Sequence, residues 1–203
     1  MRQKDRKPVN ILPVKEYNNC AAESVLRIIA SLDVPRVLIA VDGRCASGKT
    51  TLAAGLQQAL GGNIVHMDHF FLPPDLRTPK RLADPGGNID YVRFLGEVLG
   101  PLASGLPCSY RPFNCKTGQF GEPIEIAPNR VNIIEGSYSC HPFFAESYDL
   151  KIFLDIGADE QQRRIKRRNG KAAAKNFAQK WIPLEERYFA HYKIRESCDI
   201  VLT

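Results

Sequence analysis

Short apolar runs recur along the chain and are separated by stretches with a different pattern. Five of these runs are rich in β-branched residues: RVLIAVD (36–42), NIVHMD (63–68), RVNIIEG (130–136), DLKIFLDI (149–156) and CDIVLT (198–203). A continuous apolar run of this length is typical of a strand that is covered on both faces of a parallel sheet.

The stretches between these runs have helical patterns. They cover 16–32, 50–60, 91–102, 158–168 and 177–192. Strands that alternate with helices predict a three-layer α/β/α sandwich around a mainly parallel, five-stranded sheet. The Pro- and Gly-rich segment 105–129 predicts a small β-hairpin insert. We expect one domain over 1–203, in which residues 1–15 form a loose N-terminal arm.

Composition is that of an ordinary globular domain, with 44% hydrophobic and 25% charged residues. No apolar run approaches the roughly 20 residues that a membrane-spanning helix needs, and no apolar segment follows the basic N-terminus, so we expect a cytoplasmic protein without membrane contact. The six cysteines have irregular spacing, which predicts free thiols. The net charge of +6 suits either nucleic acid or a small polyphosphate ligand. Whether the chain forms a homo-oligomer stays open.

The first predicted strand leads into GRCASGKT (43–50), which fits the phosphate-binding pattern G-x-x-x-x-G-K-[ST] at every fixed position. Glycines let the backbone curl around an anion, the following helix adds its positive end, Lys49 supplies a charge for the outer phosphates and Thr50 a hydroxyl for Mg²⁺. We call 43–50 the P-loop. Nucleotide contacts are expected from Gly43, Arg44, Cys45, Ala46, Ser47, Gly48, Lys49, Thr50 and Thr51.

Asp68 ends the second predicted strand, at the carboxyl edge of the sheet where open α/β folds bind ligands. A carboxylate at this edge can take the proton of an attacking hydroxyl, or it can merely cap a loop or order a water on Mg²⁺. Phe71 follows closely and either lines an acceptor pocket or packs in the core. The base-reading motif Asn-Lys-x-Asp of GTPases is absent from the sequence.

The basic run RRIKRR (163–168) lies on a predicted helix on which Arg164 and Arg168 share one face. Three interpretations stay open: a lid over 158–175 that closes its arginines on phosphates, a nucleic-acid surface, and a solvated charged face. The lid is favoured beside a P-loop, and no aromatic residues interleave the arginines as in single-strand binders. Because Ile165 is nearly the only apolar residue, the helix is expected to bury little.

The order of GRCASGKTTLA, MDHFF, NID, YRPF, IIEG and the arginine-rich helix resembles that of uridine kinases and their relatives, the pantothenate kinase and phosphoribulokinase group. The resemblance extends over about residues 36–203. It implies that Asp68 is the catalytic base and that Lys49, Arg164 and Arg168 stabilise the transferred phosphoryl group. It also implies ATP and Mg²⁺ as cofactors.

The resemblance further assigns residues to the acceptor and the metal. Asp90 would bind sugar hydroxyls, and Tyr110 and its neighbour Arg111 would lie near a nucleobase. Glu135 would bind Mg²⁺ together with Thr50. Phe71 stands where the family has tyrosine, and the histidine expected after Tyr110 is absent.

The implied activity is an ATP-dependent small-molecule kinase that acts on the 5′-hydroxyl of uridine or cytidine. The alternatives are another small alcohol, such as pantothenate or a sugar-like molecule, and an NTPase switch that binds a partner through its basic helix. Glu185, Glu186 and Arg187 are expected to be surface charges.

Overall fold

The computed structural model describes residues 10–12 and 20–203. Its strands are β1 (Asn10–Leu12), β2 (Val37–Gly43), β3 (Asn63–His66), β4 (Cys108–Tyr110), β5 (Phe113–Asn114), β6 (Gln119–Phe120), β7 (Ile124–Ile126), β8 (Val131–Glu135), β9 (Leu150–Leu154) and β10 (Ile200–Leu202). In this part of the chain, six strands form one parallel sheet in the order β1-β10-β9-β2-β8-β3.

The helices that accompany the strands are α1 (Cys20–Ala30), α2 (Lys49–Leu60), α3 (Pro79–Ala83), α4 (Tyr91–Phe94), α5 (Gly100–Ser104), α6 (Ala158–Asn176), α7 (Ile182–Tyr192) and α8 (Ile194–Ser197). Two π-helical segments, Leu95–Leu99 and Phe177–Trp181, continue α4 and α6. The predicted three-layer α/β fold and all five predicted strands are confirmed.

The sheet has one strand more than the sequence pattern predicts. Asn10 pairs with Ile200 and Leu12 with Leu202, so β1 lies at the sheet edge beside β10. These residues fall inside the predicted loose arm, and the prediction of a loose arm is wrong for them. The rest of that arm, and the beginning of the first predicted helix, lie outside the described residues.

Both faces of the sheet are covered, as the apolar runs predict. Alternate residues of β2 point to opposite sides of the sheet. Ile39 packs with α1 and α2 in one core cluster, whereas Leu38 and Ala40 pack in a second core cluster on the other side. That second cluster also holds the aromatic side chains Phe94 of α4 and Tyr188 of α7. The P-loop follows the carboxyl end of β2 and leads into α2.

The predicted hairpin insert is confirmed as two antiparallel pairs, β4 with β7 and β5 with β6. Arg93 of α4 contacts both the insert and the segment that follows β3. Its guanidinium lies 4.5 Å from the centre of the Phe70 ring and 5.0 Å from that of Phe120, and it donates to the carbonyls of His69 and Arg111. The insert therefore lies beside the carboxyl end of β3, where Asp68 begins the next segment.

Candidate active site

The P-loop curls between β2 and α2 because several of its residues adopt left-handed backbone geometry. Ala46 has φ of 62° and Gly48 has φ of 106°. A Cβ atom at Gly43 would lie 2.1 Å from the Leu154 carbonyl oxygen, so only glycine fits where the loop leaves β2 beside β9. The curled loop forms part of the wall of a cleft of about 1350 Å³.

Lys49 is the buried cation at the centre of the P-loop. Its ammonium donates to the carbonyl of Gly43 over 2.8 Å and to that of Arg44 over 3.0 Å. The side chain is therefore folded back over the loop, and it lines the cleft. A fixed ammonium here adds positive charge to the N-terminal end of α2, as anion binding requires.

Thr50 and Glu135 bring two oxygen ligands together from the P-loop and the end of β8. The Thr50 hydroxyl lies 3.2 Å from Oε2 and 3.3 Å from Oε1 of Glu135. His66 Nδ1 lies 2.5 Å from Glu135 Oε1, which raises the pKa of His66. Hydroxyl and carboxylate oxygens are hard donors that fit Mg²⁺ together with phosphate oxygens and water. Among the described residues, no group of three or more histidine, cysteine or acidic side chains could hold a metal ion alone.

Asp68 lies in the segment after β3 and lines the cleft, where a bound ligand can reach it. A Cβ atom at Gly136, just beyond β8, would lie 3.6 Å from Asp68 Oδ1, so the carboxylate lies beside the end of β8. Desolvation in the cleft raises the pKa of Asp68, and the negative charge of Glu135 raises it further. The positive charge of Lys49 lowers it. A carboxylate with a raised pKa is a stronger base than an ordinary aspartate.

The arginine-rich helix α6 contacts the P-loop directly. Arg164 Nη1 lies 3.4 Å from the Ala46 carbonyl oxygen, and Arg168 Nη2 lies 3.6 Å from Cys45 Sγ. Both side chains line the cleft together with Arg163 and Arg167. This face of α6 is therefore not a purely solvated charged face, and the lid stays a prediction.

The expectation that α6 buries little is wrong for its first two turns. Ile165 is fully buried in a small core with Cys45. Gln161 is also buried and donates to the Cys45 carbonyl over 3.1 Å. The helical geometry is interrupted at Gly170, where φ is 83° and ψ is 169°, so the contact with the loop is made by the part before this kink.

Arg44 holds the outside of the P-loop rather than facing the cleft. Its guanidinium forms a two-point pair with Glu186 of α7, at 2.7 and 3.1 Å, and contacts Asp155 at 3.0 Å. Of the residues expected to contact the nucleotide, Gly43, Arg44 and Ser47 do not line the cleft. The remaining ones do: Cys45, Ala46, Gly48, Lys49, Thr50 and Thr51.

Glu185 is a site residue that the sequence pattern misassigns, because it is buried and not a surface charge. Its carboxylate accepts from the Cys45 backbone N–H over 3.0 Å and from the Ser137 hydroxyl over 2.6 Å. Burial raises the pKa of Glu185, and the positive charge of Lys49 lowers it. One signal could have found it: Tyr188 and Phe189, three and four residues on, form the buried face of α7.

Asp42 is the fully buried carboxylate that precedes the P-loop. It accepts from the backbone N–H groups of Gly43, Tyr138 and Cys140, over 2.7 to 3.2 Å, and from the Tyr188 hydroxyl over 2.9 Å. Burial raises the pKa of Asp42, whereas the hydrogen bonds from the backbone of Cys140 and Gly43 lower it. Asp42 thus connects β2, the segment after β8 and α7 beneath the cleft.

The side of the cleft next to Asp68 is built from the segment after β3, the insert and the segment after β8. Its lining residues are Phe71, Arg77, Asn88, Cys115, Lys116, Gly136, Ser137 and Tyr138. Phe71 is therefore brought to the cleft, and its role there stays a prediction. Arg77, Asn88 and Lys116 were not anticipated, because nothing in their sequence surroundings marks them.

Three of the expected acceptor residues do not line this cleft. Asp90 caps α4 by accepting from the Arg93 backbone N–H over 3.1 Å. Tyr110 is buried, with its hydroxyl 3.0 Å from His69 Nδ1, and burial raises its pKa to about 12. Arg111 is exposed and donates to carbonyls of the insert at Gly121 and Phe120.

No model of a protein family matches the chain. It is similar to the structure of a possible uridine kinase from Bacillus stearothermophilus, with a TM-score of 0.71 and 16% identity over 90% of this chain and 97% of that one. A candidate fructose transport system kinase from Silicibacter gives a TM-score of 0.66 and 25% identity over 89% and 96%.

A candidate P-loop containing kinase with a circular permutation, from Saccharomyces cerevisiae, is similar as well. Its TM-score is 0.61 and its identity 14%, over 90% of this chain and 97% of that chain. These matches span nearly the full length of each partner, and the fold of this chain is that of P-loop kinases. No helix in the described part of the chain is long and apolar enough to span a membrane.

Proposed function

We propose that the protein is an ATP- and Mg²⁺-dependent kinase that transfers the γ-phosphoryl group to a hydroxyl of a small molecule. One observation carries the proposal: a single cleft is lined by the P-loop, by Asp68 and by the arginines of α6. Donor site, base and charge stabilisation are the three parts that phosphoryl transfer needs in one place.

The donor triphosphate would lie on the P-loop, with its outer phosphates at Lys49. Thr50 and Glu135 would hold Mg²⁺ between them and the phosphate oxygens. When bound, the ion supplies charge neutralisation for the β- and γ-oxygens. Glu185 keeps Cys45 of the loop in place through the hydrogen bond to its backbone N–H.

Asp68 would act on the acceptor. Its carboxylate accepts the proton of the acceptor hydroxyl while the hydroxyl oxygen attacks the γ-phosphorus. The bond between that phosphorus and the bridging oxygen breaks, so that ADP leaves and the proton stays on Asp68. The raised pKa of Asp68 suits a group that must take up a proton at this moment.

Arg164 and Arg168 would stabilise charge on the transferring group. Both reach the P-loop from α6, and Arg164 is positioned by an ion pair with Glu160 at 2.6 Å. Preorganised donors aimed at the charge that develops in the transition state contribute about 10²- to 10³-fold each to the rate.

The acceptor to be tested first is a nucleoside, uridine or cytidine at the 5′-hydroxyl, as the sequence resemblance implies. Pantothenate and sugar-like alcohols are the alternatives, and the two most similar structures named above are described with a nucleoside and with a sugar transport system. Phe71 offers aromatic contact to any of these acceptors within the cleft.

The proposal is tested by measuring ADP release from ATP with Mg²⁺, alone and with a panel of nucleosides, pantothenate, sugars and sugar alcohols. Release that depends on one acceptor, with a phosphorylated product in stoichiometric amount, supports the kinase. Hydrolysis that no acceptor stimulates and that nucleic acid or a protein partner increases would instead support an NTPase switch that uses the basic face of α6.

A further inference from the structure

Two cations line the cleft without belonging to the P-loop or to α6. Arg77 comes from the segment after β3, and Lys116 comes from the turn between β5 and β6. Neither makes an ion pair with an acidic side chain among the described residues. They therefore present positive charge to the cleft that Asp68 and Phe71 also line.

Arg77 is held in place rather than free in solvent. The side chain is half-buried, its Nε donates to the Leu72 carbonyl, and its Nη2 lies 3.5 Å from Cys115 Sγ. The Leu72 backbone in turn donates to the Asn88 carbonyl over 2.9 Å. The guanidinium thus joins the segment after β3 to the insert turn that carries Lys116, and it keeps one nitrogen, Nη1, available to a ligand.

The charges that line the cleft do not balance without a ligand. The cations are Lys49, Arg77, Lys116, Arg163, Arg164, Arg167 and Arg168, and the carboxylates are Asp68, Glu135, Glu160 and Glu185. Glu160 already pairs with Arg163 and Arg164, and Glu185 accepts from Cys45 and Ser137. A donor triphosphate accounts for Lys49 and the arginines of α6. It leaves Arg77 and Lys116, which come from other elements, without a counter-charge.

We propose that the acceptor is a small alcohol that also carries an anionic group, a phosphate or a carboxylate, and that Arg77 and Lys116 bind that group. This inference rests on the proposed kinase function and names its substrate class. A guanidinium with a fixed plane recognises phosphate and carboxylate by paired hydrogen bonds, and an ammonium adds a point charge. A neutral acceptor would gain neither of these interactions, so the two cations favour the charged acceptor.

The test uses matched acceptor pairs that differ in the anionic group: glycerol with glycerol 3-phosphate, ribose with ribose 5-phosphate, and panthenol with pantothenate, with uridine as a neutral nucleoside. Acceptor-dependent ADP release and calorimetric binding to the ADP-loaded protein are measured for each. We expect charged members to bind at least tenfold more tightly than their neutral partners. The phosphate and carboxylate arms show which anion is preferred.

Variants connect the effect to the two cations. Arg77→Gln and Lys116→Gln should each raise the KM or Kd of the charged acceptor about tenfold or more, with the KM for ATP unchanged. Lys80→Gln removes a charge from exposed α3, outside the cleft lining, and serves as the control. Thermal unfolding of each variant verifies that the fold is intact.

The outcomes separate the two proposals. Phosphorylation of neutral acceptors with equal or greater kcat/KM than their charged partners overturns the anionic acceptor and leaves the kinase standing. Absence of acceptor-dependent release with every compound overturns the kinase. In that case calorimetry still tests the anionic site. If the charged compounds bind and Arg77→Gln weakens that binding, the inference is supported. If they do not bind, or if Arg77→Gln leaves their binding unchanged, the inference is overturned.

Discussion

The Thr50 hydroxyl lies 3.2 Å from Glu135 Oε2, so the last residue of the P-loop and the last residue of β8 meet at one point of the cleft. Thr50 lies in the first turn of α2, after the loop that leaves β2, and Glu135 ends β8, which pairs with β2. The proposed phosphate contacts and the proposed metal contact therefore lie at the same edge of the sheet.

Glu135→Gln should weaken the Mg²⁺-dependent part of nucleotide binding. Loss of the carboxylate charge removes one of two oxygen ligands, and we expect the apparent Mg²⁺ affinity of the ATP complex to fall about 10- to 100-fold. Calorimetry of ATP with and without Mg²⁺ measures this without any acceptor. Glu125→Gln, on exposed β7, is the control. Equal Mg²⁺ dependence in the Glu135 variant and the wild type would exclude the proposed ligand role.

Arg164→Gln should reduce kcat about 10²- to 10³-fold, with a smaller effect on the Kd of ATP, because its charge acts on the transferring group. Lys166→Gln removes a positive charge from the same helix at an exposed position outside the cleft lining, and should leave kcat close to that of the wild type. Steady-state kinetics of both variants checks this. A similar loss in both would mean that the overall charge of α6, and not the contact of Arg164 with the P-loop, is what matters.

Asp42→Ala should destabilise the protein by about 3 kcal/mol or more, since it leaves buried backbone donors and the Tyr188 hydroxyl without an acceptor. Tyr188→Phe removes only one of the four donors to Asp42, and we expect it to lower the free energy of unfolding by about 1 kcal/mol. Urea unfolding of both variants measures the free energies. Equal effects of the two substitutions would contradict the view that Asp42 organises the whole network.

Phosphotransfer should decline with falling pH at values above the ordinary 3.8 of an aspartate, since desolvation in the cleft raises the pKa of Asp68. The base works only when deprotonated, so activity is present above the raised pKa and is lost as the pH falls through it. Below it, kcat/KM should fall about tenfold per pH unit. ATP binding and circular dichroism at each pH separate this from unfolding. A rate that stays constant down to pH 4 would exclude Asp68 as the base.

The parts of the fold that rest on local patterns are predictable from the sequence. Apolar runs identify five of the six strands of the sheet, and GRCASGKT identifies the P-loop, because each depends on residues that are adjacent in the chain. The edge strand β1 is missed because only three residues pair, and prolines at positions 8 and 13 enclose this short apolar run in the sequence.

The acceptor side is less predictable because its residues meet only through tertiary packing. Arg77 and Lys116 are 39 positions apart, and the contact of Arg77 with Cys115 exists only because the insert folds back on the segment after β3. Tyr110 shows the reverse case, since a motif-like aromatic residue is placed in the core and not in the cleft. Glu185 illustrates the same limit: a charged residue is buried because it has backbone and hydroxyl partners from other elements.

The most direct test of the kinase is the comparison of Asp68→Asn with the wild type, using the acceptor that the panel identifies. The account predicts an intact fold, an unchanged Kd for ATP with Mg²⁺, and a phosphotransfer rate that is lower by about 10² to 10⁴. Asp75→Asn, exposed in the same segment and outside the cleft lining, should behave as the wild type. Turnover of Asp68→Asn within a few-fold of the wild-type rate would contradict the account.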